Sequence, residues 1–196
     1  MKISGSKRTV ARALSLSAIG LTLSATAVFA QPQWHSKVLA QKQVKALPSG
    51  PLYWEVQNFT SPAAAKSAAQ PTSLEVQVGG SAWLFTLAPK GTTISGGSKF
   101  AEIGPVEAVK APAYRLRVAI AGGPPGAKMP AHKTPATDAF YVLTGQVTAG
   151  ATKADAGKSL AAGASGAVSS SGKQDLDAFV LSVSATKAQM AAAKTK

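Results

Sequence analysis

The chain contains no cysteine. No disulfide can staple it, and thiolate catalysis and thiolate metal sites are excluded. Histidine is almost as scarce: His35 and His132 are the only two in 196 residues. A site built on imidazoles has no others to draw on. Aromatic residues make up 6%, and eight acids face twenty-one lysines and arginines. There is no P-loop, no dinucleotide-binding glycine fingerprint and no G-x-S-x-G elbow, so the usual marks of nucleotide enzymes and serine hydrolases are missing. Beyond the first thirty residues no apolar run approaches the ~20 residues needed to span a bilayer.

Those first thirty residues carry their own pattern. Lys2, Lys7, Arg8 and Arg12 form a positive start, and an apolar stretch diluted by Ser, Thr and Gly follows from Leu14 to Phe29. Val28-Phe29-Ala30 suits a signal peptidase, with Ala25-Thr26-Ala27 as a second cut. Residues 1–30 therefore read as a secretory signal peptide, an uncleaved membrane anchor being the alternative. The mature chain is expected to be secreted or periplasmic, with no transmembrane span after signal removal. Without the leader, seventeen bases against eight acids leave a net charge of +9. The lysines are scattered, with no arginine stripe and no interleaved aromatics, so nucleic acid is not the expected partner. Weak association with anionic envelope surfaces is the milder consequence of the charge.

Eighteen glycines and twelve prolines punctuate the rest and point to an all-β domain. Residues 31–49 read as a polar N-terminal arm. Strands are expected at 52–59, at 74–78 and 81–87 as a hairpin about Gly79-Gly80, and at 100–103. Further strands are expected at 114–120, 139–147, around Leu160 and Val168, and at 175–183. In 114–120, Tyr114, Leu116, Val118 and Ile120 share one face, with Arg115 and Arg117 on the other. That second face is either solvated or able to grip a carboxylate or phosphate. The domain is placed at 50–184, followed by a short helical or disordered tail at 185–196. Periodicity alone leaves a β-sandwich or a barrel open.

The segment 126–145 reads GAKMPAHKTPATDAFYVLTG. It resembles the first motif of the cupin superfamily: Gly, five residues, His, any, His, three or four residues, Glu, six residues, Gly. Gly126, His132, Asp138 and Gly145 fall in register, with Thr134 in place of the second His and Asp in place of Glu. Pro130, Pro135 and the run Phe140-Tyr141-Val142-Leu143 are similar to a version found in small secreted cupins. The resemblance implies a cupin-type double-stranded β-helix, a jelly-roll barrel. It also implies that His132 and Asp138 occupy two remnant metal-ligand positions. The family's metals are divalent transition ions. Thr134 is a poor ligand, Asp138 is one methylene short, and no further His is available, so the metal site reads as degenerate and no cofactor is expected.

The expected function is therefore non-catalytic binding of a small molecule or a partner in or at the barrel. His132, Thr134, Asp138 and Tyr141 are the ligand-binding candidates. A metal-dependent enzyme of dioxygenase or isomerase type with an atypical site is the first alternative. An envelope-associated structural protein is the second. Cupins often pair through sheet edges, so a homodimer is also to be considered.

Overall fold

The structure is a computed structural model that describes residues 32–132, 136–163 and 167–186. The leader read at 1–30, Thr134 and residues 187–196 of the tail lie outside the described residues. Among the described residues, twelve strands and one short helix make an all-β fold. In order these are β1 (His35–Val44), β2 (Leu52–Phe59), α1 (Pro62–Ala68), β3 (Ser73–Val78), β4 (Ser81–Pro89), β5 (Ser98–Val106), β6 (Tyr114–Gly123), β7 (Ala136–Thr144), β8 (Gln146–Ala149), β9 (Thr152–Asp155), β10 (Ser159–Ala162), β11 (Val168–Ser171) and β12 (Leu176–Ala185).

The strands form three sheets, and every strand pairing is antiparallel. A five-stranded sheet runs β1-β6-β12-β7-β10, a four-stranded sheet runs β3-β4-β2-β5, and a three-stranded sheet runs β11-β8-β9. The five-stranded sheet is the middle layer. Leu116, Val118, Ala139, Phe179, Leu181 and Val183 on one face pack against Trp54, Val56, Phe85 and Leu87 of the four-stranded sheet. Ala121, Phe140, Val142, Ala178 and Val180 on the other face pack with Val147, Ala154 and Val168 of the three-stranded sheet. Because side chains alternate along a strand, β7 and β12 must be apolar at nearly every position. The Phe85 and Phe179 rings, 5.0 Å apart and edge to face, tie the two larger sheets together.

Local chemistry explains most of the element boundaries. The 73–78 and 81–89 hairpin closes about Gly79 and Gly80, both with positive φ. Ser61 caps α1 by accepting the Ala64 N–H at 3.1 Å, with Pro62 in the first helical position. Seven residues are too few to hold a helix alone. Ala65 instead packs with Phe59, Leu84 and Ile94. The strand expected at 139–147 is broken at Gly145 into β7 and β8. Gly145 has φ +71°, and a Cβ there would lie 2.5 Å from the Asp175 carbonyl oxygen. The segment 31–49, expected as an arm, carries β1, which pairs along β6 from His35 to Val44. Its lysines stay exposed because β1 is an edge strand. β5 extends well past 100–103, and β9 lies in a stretch rich in Ala and Lys that gave no strand pattern.

Two predictions follow from this layer of the structure. Gly145→Ala is expected to cost about 1–3 kcal/mol for the left-handed backbone alone, and more for the overlap with Asp175; urea unfolding measures it. Glu55 is the second case. It is buried on β2, accepts from Gln57 Nε2 at 2.8 Å and lies 3.8 Å from Lys99. Burial pushes its pKa above 4.5, with Lys99 and Gln57 opposing the rise. The folded state thus holds that proton at higher pH than the unfolded chain, and stability falls as pH rises from 4.5 through the raised value. A glutamine at 55 removes this charge and can donate to Gln57 Oε1, which is buried without a partner. Glu55→Gln should raise the melting temperature at neutral pH by roughly 2–4 °C, a gain of about 1 kcal/mol. The gain should shrink as pH drops toward 4.5.

Candidate functional site

β6 ends at Gly123, and the chain turns through Pro124-Pro125-Gly126 into a connection that leads to β7. This connection is fastened to β11. Gly126 N–H donates to Ser170 O at 3.0 Å, Met129 N–H to Val168 O at 2.9 Å, and Ser170 N–H to Ala127 O at 2.8 Å. Residues 126–129 therefore run as a further extended segment beside β11, with Lys128 and Ser169 bridged. That fastening carries His132 to the start of β7.

There His132 meets Asp138. The imidazole Nε2 is 2.5 Å from Asp138 Oδ2, and Ser182 Oγ donates to Asp138 Oδ1 at 2.6 Å. A carboxylate with two such neighbours acts as acceptor to both, so Nε2 is the donor and Nδ1 faces away from the pair. Asp138 is 4% exposed and Ser182 6%, whereas the His132 side chain keeps 31% of its surface. The buried acid is fully engaged, and the ring above it is the accessible member.

Register extends the polar line across the sheet. At one level the middle sheet presents Gln41 on β1, Arg117 on β6, Ser182 on β12 and Asp138 on β7, each directly opposite the next. Residues opposed in this way have Cβ atoms about 4.5–5.5 Å apart. Arg117 is half-buried, and its Nε is buried with no hydrogen-bond partner. Among the described residues the ion pairs are His35–Asp177, Lys99–Glu55, Lys99–Glu102 and His132–Asp138, none of which involves Arg117. A pocket of about 270 Å³ opens over this line, walled by Trp34, Arg117, Met129, His132, Val180 and Ser182. Two larger hollows, of about 360 and 380 Å³, lie by Trp83 and by Tyr114 and gather no comparable polar network.

Of the residues singled out by sequence, His132 and Asp138 come together. Thr134 lies outside the described residues. Tyr141 does not join them: it is three residues from Asp138 on β7 and points to the opposite face. There it packs in the large core, 6.3 Å from Trp83 and 6.2 Å from Phe100, where burial pushes its phenol pKa up. His35 sits 3.4 Å from the exposed Asp177 and is not part of the network. Ser182 and Trp34 were not among the candidates, and Arg117 stood out only as one of two arginines on a face either solvated or able to grip an anion. Ser182 had one signal, a hydroxyl inside the apolar run from Phe179 to Val183.

The donor set can be compared with what a divalent metal needs. Metal sites commonly use three or four protein ligands. Among the described residues no group of three or more His, Asp or Glu side chains could hold one. Asp138 also has both oxygens committed, one to His132 and one to Ser182. A metal would have to displace those bonds, so the residues present do not fit the ion that the motif implies.

Ser182→Ala should destabilise the fold by about 1.5–3 kcal/mol, since a buried carboxylate loses a charged hydrogen bond. Urea unfolding would measure this, and a loss near zero would mean that the bond is not made in solution. No protein-family model matches the chain, and no curated protein matches it in sequence.

Proposed function

We propose that this chain is a cupin-type, secreted or periplasmic binding protein that works without a metal. It holds a small molecule or a partner at the mouth of its barrel. The carrying observation is the His132–Asp138–Ser182 network at the rim of a pocket, with both oxygens of its buried acid already hydrogen-bonded.

The winding of the chain supports the cupin reading. From β6 onward the chain passes from the middle sheet to 126–129, returns as β7, crosses to β8 and β9, comes back as β10 and crosses again to β11. It then comes back as β12 between β6 and β7. Strands that alternate between two facing layers in this way are what a jelly roll requires. The small core of Phe140, Leu160, Val168 and Val180 fills the space between those layers, and Asp138 and Ser182 lie on the same inward face. Gly126 and Gly145, the ends of the motif, both have positive φ.

A non-catalytic role is favoured by the order of the network. A hydrolytic triad needs a hydroxyl bonded to the imidazole and the imidazole to the acid. Here the hydroxyl of Ser182 bonds the acid, and no hydroxyl is bonded to His132 among the described residues. Secretion rests on the leader pattern at 1–30. Among the described residues no helix is long and apolar enough to cross a membrane.

The test is elemental analysis of protein purified without a His tag, after metal supplementation and dialysis, alongside His132→Ala. The expected result is no stoichiometric metal in either sample and a melting temperature unmoved by chelator. Near one metal per chain, lost in the variant, would overturn the reading in favour of an oxygenase or isomerase.

A further inference from the structure

Arg117 stands in the interior of the middle sheet, with β1 on one side and β12 on the other. Edge arginines can reach around a sheet to water, but this one has neighbours on both flanks. Its Nε is shut off from solvent and unpartnered. A buried N–H without an acceptor costs free energy, and a ligand that engages this half-buried guanidinium gains a group the protein has left without a partner. The only acid on its level is Asp138, two strands away, and both oxygens of that acid are engaged by Ser182 and His132. Arg115, on the same face of β6, adds positive charge. The chain thus supplies no counter-ion to Arg117 from its described residues, while the pocket beside it is open to ligands.

From this we infer that the pocket takes a small monocarboxylate with a compact apolar or aromatic body. The inference rests on the binding role proposed above and names its ligand class. The planar guanidinium fork matches a carboxylate with two parallel N–H···O bonds, a geometry that lysine cannot reproduce. The exposed edge of His132 lies on the same rim and can contact a carboxylate oxygen. Apart from Ser36 and Ser182 the rest of the wall is apolar, with Trp34, Ala121, Met129 and Val180 the main part, and carries no second charged group besides His132. One guanidinium among apolar side chains is a poor match for a doubly charged phosphate, which draws on several cations or a run of backbone N–H groups. The volume, about 270 Å³, lies just under the ~300–1,000 Å³ typical of sites for drug-sized ligands, so the ligand is small. The basic surface draws anions of either kind toward the mouth, so long-range charge does not set the class. The fork of Arg117 and the apolar wall do.

The experiment uses benzoate, butyrate, benzamide and inorganic phosphate as probes at neutral pH. Binding is read by thermal shift and by the fluorescence of Trp34. Of the three tryptophans, Trp54 is fully buried and Trp83 packs in the large core, so a Trp34→Phe control identifies the signal. Benzoate is expected to raise the melting temperature and change the Trp34 emission, and benzamide, its uncharged isostere, is not. Arg117→Gln should weaken benzoate roughly tenfold to a hundredfold, the range for losing a charged hydrogen-bonded contact. Without ligand, that variant should melt no lower than the wild type, because it removes a buried N–H that has no acceptor. Arg117→Lys should weaken benzoate less than Arg117→Gln does, since it keeps the charge and loses the fork. Equal binding of benzoate and benzamide, or benzoate binding indifferent to both variants, would overturn the carboxylate assignment and leave the binding role standing. Preference for phosphate would do the same. No response to any probe would overturn both.

Discussion

The constraint on which the structure turns is that the middle sheet is covered on both faces. β7 and β12 have no solvent side to spare, so each polar residue on them must be satisfied within the protein. Asp138 and Ser182 meet that demand by bonding each other across the pair, and His132 completes the set from the connection above. The site is thus an answer to a packing problem as well as a chemical arrangement. Its geometry is held by strand register on one side and by the backbone bonds of 126–129 to β11 on the other. Neither support depends on an ion.

This changes what the motif-like residues signify. In a metal site, imidazole and carboxylate point at a common centre and leave lone pairs free. Here they point at each other. Burial gives that choice weight, because a buried carboxylate with two donors is stable as it stands, and prising it open would cost both hydrogen bonds. Arg117 is the member of the row left out of this closure. An acid with both oxygens bonded and an arginine whose Nε has no partner thus stand on one level, two strands apart.

Much of the sheet structure was legible because period-two patterns and glycine turns are local signals. The 73–78 and 81–89 hairpin and the alternation of Tyr114, Leu116 and Val118 against Arg115 and Arg117 are read directly from the chain. β1 was not legible: an edge strand rich in Lys and Gln looks like an arm until its pairing with β6 is seen. β7 shows a different limit. An almost unbroken apolar run does not say which residues share a face with Asp138, and alternation sends Tyr141 to the other core. The neighbours that matter most to the site, Ser182 and Arg117, lie 44 and 21 residues from Asp138 in sequence. Only the register of three strands brings them to one level, and no local pattern encodes that register.

The position of β12 has a consequence in time. It is the last of the described strands, yet it lies inside the middle sheet, flanked by β6 and β7. Neither neighbour can complete its pairing until residues 176–185 have been synthesised. Such long-range pairing is slow to form. In a nascent chain β6 and β7 lack their shared partner until residues 176–185 emerge from the ribosome, whereas the four-stranded sheet pairs entirely within residues 52–106.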